Sequence, residues 1–301
     1  MNMDRSVLTR RSFIISASGF TAAAIARCAP PEKGLRCGVA SYTSVDPLAD
    51  IEKLAEAGAD YAEPSLSKTM TLSDADFELA RAKAERARIH VESMNWFVPP
   101  EVRLTGPEVD QGKVRDYVAR ALGRAQALGA KRIVFGSPGA RNVPDGFPKD
   151  KALAQLREFL GICGSEIESK GHGMVICVEP LARNGSNIIN STAEGAAIVT
   201  EVGHPKIRLM VDFYHWAIEK ESPRSIIDAA PLIEHMHISR TDEMRTYPAD
   251  PTEDPRYGVF FDAVRQIGYT QRISLEGNVK DLVAEARAGL RCLRALGGQR
   301  S

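Results

Sequence analysis

The chain lacks an excess of charge of either sign. Its 39 Lys and Arg residues are balanced by 39 Asp and Glu residues over a length of 301 residues. Nucleic-acid-binding proteins usually carry a positive field that neutralises phosphates, and no such field is present here. We therefore expect no nucleic-acid partner, and a small neutral or weakly charged ligand instead.

Cysteine is scarce, and beyond residue 30 no two cysteines have the spacing of a metal-binding pair. Cys37 and Cys177 fall in predicted buried strands, whereas Cys163 and Cys292 fall on apolar helix faces. These positions favour four inert buried thiols over disulfides.

A Gly-x-Gly-x-x-Gly turn is absent after the first predicted strand. Its absence disfavours a doubly wound dinucleotide-binding sheet, which is the alternative α/β fold. No composition break, low-complexity stretch or internal repeat divides residues 31–301. We therefore expect a single domain over that range.

Residues 1–30 are expected to form a twin-arginine export signal. The segment Thr9–Ile15 contains the arginine pair, and a mildly apolar stretch follows as far as Ala26. This stretch is too short and too rich in Ser, Thr and Gly for a stable membrane span. Arg27 before Cys28 fits a lipid-attachment signal poorly, so we expect no lipid anchor. The expected location is periplasmic or extracytoplasmic, and the alternative is a disordered basic N-terminus with an accidental arginine pair.

Short apolar runs rich in β-branched residues alternate with helical patterns along the rest of the chain. Examples of the helical patterns are Thr192 to Val202 and Val279 to Leu296, and Ser73 before Asp76 is a predicted helix cap. Eight strand–helix units in about 265 residues predict a single (β/α)8 TIM barrel, which is an α/β fold. The predicted strands lie near 35–41, 60–66, 88–94, 131–137, 175–179, 207–212, 233–237 and 273–276.

Four potential metal ligands each end one of the last four predicted strands. They are Glu179, Asp212, His237 and Glu276. Parallel strands present their carboxyl ends on one side, so the four side chains should meet there. Three carboxylates would repel one another without a cation. The oxygen-rich set favours one divalent metal ion, Mn²⁺, Mg²⁺ or Co²⁺ ahead of Zn²⁺. The alternative is four ordinary strand-end residues or helix caps.

Four short motifs carry a resemblance to a known family. They are Val178–Arg183, Val211–His215, His235–His237 and Ser274–Glu276. With these motifs in this order, the chain resembles the xylose isomerase-like sugar phosphate isomerase/epimerase superfamily, in particular its ketose 3-epimerase branch. The resemblance extends from about residue 35 to residue 295.

The resemblance implies a role for several residues. Those matching Glu179, Asp212, His237 and Glu276 bind one divalent metal ion in the family, usually manganese, and the two glutamates also move protons. The residue matching His215 contacts substrate hydroxyls. Barrels of this family are often dimers or tetramers, so a homo-oligomer is also an expectation.

Such a site would act by α-proton abstraction. A metal that chelates a carbonyl and the neighbouring hydroxyl of a sugar stabilises the enediolate that forms when the intervening proton leaves. Two carboxylates can serve as base and acid, which gives epimerisation or isomerisation. Expulsion of a β-substituent would instead make the enzyme a lyase or hydratase acting on 3-keto-glycosides or related keto-sugars.

The expected substrate is a non-phosphorylated sugar or keto-sugar, because an exported enzyme has little access to sugar phosphates. A non-catalytic exported sugar-binding barrel is an alternative from another class. The presence of both Glu179 and Glu276 disfavours it, because a binding protein has no need for two proton-transfer groups. The superfamily also contains a three-zinc DNA-repair endonuclease, but no histidine ends predicted strand two or four, where its extra ligands would be expected.

Two positions depart from the ketose 3-epimerase pattern. Gly185 stands where those enzymes have a glutamate, and Glu243 stands where they have an arginine. Arg240 or Arg245 could replace that arginine. Both positions contact substrate in the epimerases, so the departures put a simple hexulose specificity in question.

Further candidates for substrate binding follow the early strands and the first motif. Trp96 could stack on a sugar face or plug the mouth of the barrel. Glu63 could contact substrate or pair with a neighbouring Lys or Arg, and Asn95 is a further pocket candidate. Arg141 ends a glycine-rich turn without the Lys-Ser/Thr ending of a phosphate loop. Arg183 closes the first motif, and Arg240 follows the third.

Overall fold

A computed structural model describes residues 34–298 of the chain. The expected export signal at 1–30 and Cys28 lie outside the described residues. None of the helices within 34–298 combines the length and apolar character needed to cross a membrane.

The strands form one parallel sheet. They are β1 Arg36–Ala40, β2 Tyr61–Glu63, β3 His90–Val91, β4 Ser93–Met94, β5 Arg132–Phe135, β6 Val175–Val178, β7 Ile207–Asp212, β8 Ile233–Ile238 and β9 Arg272–Leu275. Their order in the sheet is β3-β2-β1-β9-β8-β7-β6-β5-β4. Most of their side chains are buried, as expected for parallel strands covered on both faces.

The sheet closes through Glu92, which separates β3 from β4. The Glu92 N–H donates to the carbonyl of Ala62 at 3.3 Å, and the Glu92 carbonyl accepts from the N–H of Lys131 at 2.9 Å. The predicted third strand at 88–94 is therefore interrupted at one residue that bonds to both neighbouring strands. The result is a nearly closed parallel barrel, so the predicted TIM-barrel fold is confirmed.

Helices follow the strands and cover the outside of the barrel. They are α1 Ile51–Ala57, α2 Leu66–Met70, α3 Asp74–Arg86, α4 Gln111–Ala127, α5 Pro138–Arg141, α6 Lys149–Ser169, α7 Thr192–Val202, α8 Phe213–Ile218, α9 Pro223–Ala229, α10 Pro255–Gln266 and α11 Leu282–Leu296, with a 3₁₀ turn at Ala230–Leu232.

Side-chain caps fix several helix starts. Ser73 accepts a hydrogen bond from the N–H of Asp76 at 3.1 Å, which confirms the predicted cap of α3. The last helix begins at Leu282 rather than at the predicted Val279. Asp281 sets that start, because its carboxylate accepts from the N–H of Ala284 at 3.1 Å.

The four cysteines beyond residue 30 are buried and free. Burial raises the pKa of Cys37 to about 12 and the pKa of Cys292 to about 12. The prediction of inert core thiols is confirmed for these positions.

Candidate active site

The four predicted metal ligands lie together at the carboxyl ends of β6, β7, β8 and β9. One ligand atom from each of Glu179, Asp212, His237 and Glu276 lies within 4.8 Å of every other. The backbone continues the strand ladder at this edge, since Glu179 N–H donates to Phe135 at 3.1 Å and Glu276 N–H donates to Ile238 at 3.0 Å. All four side chains are buried.

Unpartnered atoms in this cluster fit a divalent cation. Within the described part of the chain, Glu179 Oε1 and His237 Nδ1 are buried and have no hydrogen-bond partner. They lie 4.0 Å apart, and His237 Nδ1 is 3.5 Å from Glu276 Oε1. Buried polar atoms are nearly always paired, and three close carboxylates need positive charge. A cation held by oxygen atoms and one imidazole nitrogen would satisfy both requirements.

The orientation of His237 is fixed from below by Glu63. His237 Nε2 lies 2.8 Å from Glu63 Oε1, and Glu63 is fully buried. This contact assigns the Nε2 proton to the bond with Glu63 and directs Nδ1 towards the carboxylates. Glu63 was predicted to contact substrate, but it does not line the pocket, because both of its oxygens are bonded to the histidines of β8.

Glu63 belongs to a buried polar network. Its second oxygen lies 2.8 Å from His235 Nε2 and accepts from Ser274 Oγ at 2.5 Å, while Ser274 Oγ is 2.7 Å from the hydroxyl of Tyr61. Burial alone would raise the pKa of Glu63, but His235 and His237 outweigh it and hold this pKa well below its usual range. Glu63 is therefore an anion that favours positive charge on the ring above it.

Arg245 reaches into the carboxylate cluster. Its Nη2 contacts Asp212 and donates to Glu276 Oε2 at 2.5 Å. Burial would lower the pKa of Arg245, but Asp212 and Glu276 outweigh it and raise this pKa, so the guanidinium stays charged. Of the two arginines that the sequence offered for this role, Arg245 lines the pocket and Arg240 does not.

The backbone around Arg245 makes this reach possible. Arg245 has a φ of 49°, a left-handed conformation that is uncommon outside glycine. Its carbonyl accepts from the N–H of Asn278 at 2.9 Å. A Cβ at Gly277 would lie 2.2 Å from that carbonyl oxygen, so glycine is needed for the close approach. The guanidinium also lies over the Tyr214 ring, 4.5 Å from its centre.

His215 presents a neutral imidazole to the cluster. Its Nδ1 accepts from the N–H of Ala182 at 3.0 Å, which places the ring proton on Nε2. Nε2 lies 3.8 Å from Asp212 Oδ2 and 3.9 Å from Glu179 Oε1. Burial, with the charge of Arg245, holds the pKa of His215 well below its usual range. The ring can therefore donate from Nε2 to a bound hydroxyl.

The two glutamates have opposite proton affinities. Burial, with the charge of Glu276, raises the pKa of Glu179 to about 8. Burial also opposes ionisation of Glu276, but His237 and Arg245 outweigh it and lower the pKa of Glu276 to about 2. A carboxylic acid and a carboxylate side by side are the usual arrangement for paired acid and base catalysis.

A cavity of about 180 Å³ opens above these residues. Glu179, His215 and Glu276 line it, as does Trp96, so these predicted residues are brought together. Gly185 also lines the cavity at the position where the resembling epimerases carry a glutamate.

Three predicted substrate-binding arginines lie outside this cavity. Arg183 is exposed and pairs with Glu219, and Arg240 pairs with Glu253. Arg141 is fully buried and donates to the carbonyl of Phe135 at 3.0 Å. Each guanidinium is directed to a nearby protein partner, which explains why none is brought to the pocket.

Sequence reasoning missed two residues of the site. Tyr42 lines the cavity but follows β1 in a tight turn, with no motif to mark it. His235 is two residues before His237 on β8, and side chains two apart on a strand share a face, so that spacing was an available signal. Asn95, by contrast, was a predicted pocket candidate, and it lines the cavity and donates to Glu276 Oε1 at 2.8 Å.

Known proteins resemble this chain along most of its length. The D-psicose 3-epimerase of Agrobacterium fabrum is 29% identical over 240 residues, which is 76% of this chain and 78% of that protein. The structure of D-allulose 3-epimerase from Methylomonas in complex with D-allulose superposes with a TM-score of 0.74 at 21% identity, covering 87% of this chain and 97% of the other.

A 3-keto-D-glucoside 4-epimerase from E. coli superposes with a TM-score of 0.69 at 19% identity, covering 87% of this chain and 98% of the other. At such identities the two structural matches show the fold alone. The sequence profile of one family matches residues 51–296, and the chain therefore belongs to the xylose isomerase-like TIM barrel family.

Proposed function

We propose that this protein is a metal-dependent sugar epimerase or isomerase that abstracts a proton α to a carbonyl of a non-phosphorylated sugar or keto-sugar. The observation that carries the proposal is the buried cluster of Glu179, Asp212, His237 and Glu276, whose ligand atoms lie within 4.8 Å of one another and in which Glu179 Oε1 and His237 Nδ1 have no hydrogen-bond partner. The related D-psicose 3-epimerase supports the same reaction class.

Glu179, Asp212, His237 and Glu276 would hold one divalent ion, with Mn²⁺ preferred and Mg²⁺, Co²⁺ or Zn²⁺ as alternatives. The ion would supply positive charge to the two oxygens of an enediolate. A bound cation would also bring the pKa of Glu179 back towards its usual range.

Proton movement falls to the two glutamates. Glu276, ionised, takes the proton from the carbon beside the carbonyl, and the electron pair of that C–H bond passes into the enediolate. Glu179, after it takes up a proton from solvent, returns that proton to the same carbon from the other face, which inverts the centre. The proton on Glu276 then leaves to solvent before the next turnover. If Glu276 instead returns its proton to the neighbouring carbon on the same face, the product is the isomer, and a proton passes from the hydroxyl oxygen to the former carbonyl oxygen.

Two further side chains would stabilise the negative charge that develops. Arg245 donates into the cluster, and His215 Nε2–H faces it from the other side. Fixed donors in a buried site stabilise an oxyanion strongly, because they need no reorganisation during the reaction.

A location outside the cytoplasm is also proposed, on the arginine pair within Thr9–Ile15. It favours free sugars over sugar phosphates.

The test is proton exchange in D₂O. The Mn²⁺-loaded protein is incubated with a panel of ketoses, aldoses and 3-keto-glycosides, and the sugars are analysed by NMR after the metal is removed. We expect deuterium next to the carbonyl, dependent on metal, and the product identifies epimerisation, isomerisation or elimination.

An absence of exchange and of product with every sugar, despite tight metal binding, would contradict the proposal and favour a non-catalytic sugar-binding barrel. Repeating the panel with Mg²⁺, Co²⁺ and Zn²⁺ identifies the metal that supports the highest rate.

A further inference from the structure

Trp96 is an exposed aromatic side chain at the mouth of the barrel. Its exposed fraction is 44%, and no other aromatic residue within 34–298 is as open to solvent. An indole has a broad apolar face on which a ligand ring can stack, together with a polar N–H group. The surroundings of Trp96 indicate which ligand.

The backbone of Trp96 is held in an uncommon conformation. Its φ is 49°, which is unfavourable for a bulky residue. The Trp96 carbonyl accepts from the N–H of Ser67 at 3.0 Å, and the Asn95 carbonyl accepts from the N–H of Leu66 at 2.8 Å. These two bonds fix the backbone from which the indole projects to the start of α2.

Trp96 separates two cavities. On one side is the pocket of about 180 Å³ that contains the carboxylates. On the other is a cleft of about 350 Å³, and Trp96 and Tyr42 line both. The pocket alone is smaller than the ~300–1,000 Å³ typical of sites for drug-sized ligands. Its size suits one sugar ring, and the cleft offers room for another.

The cleft is polar, and its charged side chains are paired. Hydroxyl side chains of Thr43 and Ser44 line it, together with Asp46, Asp50 and Lys68. Lys68 Nζ lies 2.7 Å from Asp46 Oδ2, and Asp50 Oδ1 lies 2.7 Å from the neighbouring Lys53 Nζ. A lining of hydroxyl groups and paired charges offers hydrogen-bond donors and acceptors without an unpaired charge. It suits a neutral polyhydroxylated ligand better than a phosphate or a cation.

We propose that Trp96 and this cleft form a subsite for a second sugar ring, so that the substrate class is a neutral disaccharide or glycoside. One ring would enter the carboxylate pocket, and the next would stack on the indole and bond to the cleft side chains. This assignment rests on the proposed function and makes its substrate class more specific. It names Trp96, Lys68 and Asp46 as residues that determine specificity.

Calorimetric titration of the metal-loaded full chain tests the subsite without requiring turnover. Maltose, cellobiose, sucrose and trehalose are compared with D-glucose and D-fructose. We expect at least one disaccharide to bind about tenfold or more tightly than its constituent monosaccharides, which corresponds to ~1.4 kcal/mol. Lys68→Ala and Trp96→Ala should both reduce that ratio towards one.

A matched control for Lys68→Ala is Lys151→Ala, which removes an exposed lysine from α6. The ratio should remain at the wild-type value in this control. Equal affinities for all disaccharides and monosaccharides would overturn the subsite. A disaccharide preference that persists in both Lys68→Ala and Trp96→Ala would also overturn it.

A second readout does not depend on the fold of the Trp96 variant. The chain has two tryptophans, so Trp216→Phe leaves Trp96 as the single indole. The preferred disaccharide should change the fluorescence of Trp96 at concentrations that match its calorimetric affinity, and an unchanged spectrum at saturation would overturn the proposal.

Turnover separates this proposal from the one on which it rests. Metal-dependent deuterium exchange without any disaccharide preference would leave the proposed function standing and remove the subsite. A disaccharide that binds at Trp96, while no sugar or keto-glycoside exchanges deuterium, would leave the subsite standing and remove the proposed function.

Discussion

Glu63 Oε1 lies 2.8 Å from His237 Nε2, and the other nitrogen of the same ring faces Glu276 Oε1 at 3.5 Å. One buried acid beneath the site therefore determines which nitrogen is offered to the carboxylate cluster. An acid in this position orients a histidine ligand and increases its basicity.

Glu63→Gln should weaken binding of Mn²⁺ by ~10–100-fold, because the amide no longer fixes the ring and carries no charge. Calorimetric titration of the variant with Mn²⁺ measures the change. Glu234→Gln is a suitable control, because Glu234 lies on β8 with His237 but pairs with Arg132. Unchanged metal affinity in Glu63→Gln would show that Glu63 does not orient His237.

Metal affinity should increase with pH. Glu179, with a pKa of about 8, holds a proton at neutral pH that a metal ion must displace. The pKa of His237 is also raised, since Glu63 and Glu276 outweigh the effect of burial, so its proton opposes the metal in the same direction. Below about pH 8 the affinity for Mn²⁺ should fall by up to about tenfold per pH unit for each proton released.

Titrations in two buffers with different ionisation enthalpies count these protons directly. An affinity for Mn²⁺ that stays constant between about pH 6 and pH 8, with no proton release, would contradict the assigned protonation of the cluster.

Arg245→Gln should destabilise the metal-free protein by ~3–5 kcal/mol, because it leaves the buried Asp212 and Glu276 without their cation. Added Mn²⁺ should recover part of the loss. Arg240→Gln removes an exposed pair with Glu253 and should cost at most ~1 kcal/mol. Denaturant unfolding of both variants, with and without metal, makes the comparison, and a larger loss in Arg240→Gln would be inconsistent with these assignments.

Gly136→Ala should impair catalysis more than folding. A Cβ at Gly136 would lie 2.2 Å from Glu179 Oε2, so Glu179 must move. A displacement of about 1 Å at a reacting group can cost ~10²-fold in rate, and we expect a fall of that size in kcat/KM. Gly161→Ala serves as the control, because nothing lies within 4 Å of the added Cβ. Equal rates in the two variants would show that Glu179 tolerates the shift.

The barrel and the carboxylate cluster were predictable from sequence for one reason. Each of Glu179, Asp212, His237 and Glu276 ends an apolar run. Parallel strands bring such ends together at one face of a barrel, and this does not depend on the conformation of the connecting loops. The interruption at Glu92 was not predictable, because two strand halves joined by one residue read as a single run.

The sequence also could not predict in which direction the long side chains point. Arg141 and Arg245 both follow barrel strands, but the first donates to a carbonyl in the core and the second enters the pocket. The difference depends on the left-handed backbone of Arg245 and on the space beside Gly277, which are properties of the folded loop. The direction of Glu63 also depends on the folded structure, because its two oxygens bond to His235 and His237 of β8 inside the barrel.

The most direct test of the account compares deuterium exchange in Glu276→Gln and Glu179→Gln, each with its bound Mn²⁺ measured, on the best substrate of the panel. We predict that Glu276→Gln loses both exchange and product formation, whereas Glu179→Gln keeps exchange at the α carbon but loses inversion. Exchange at the wild-type rate in Glu276→Gln would contradict the central claim that Glu276 removes the substrate proton.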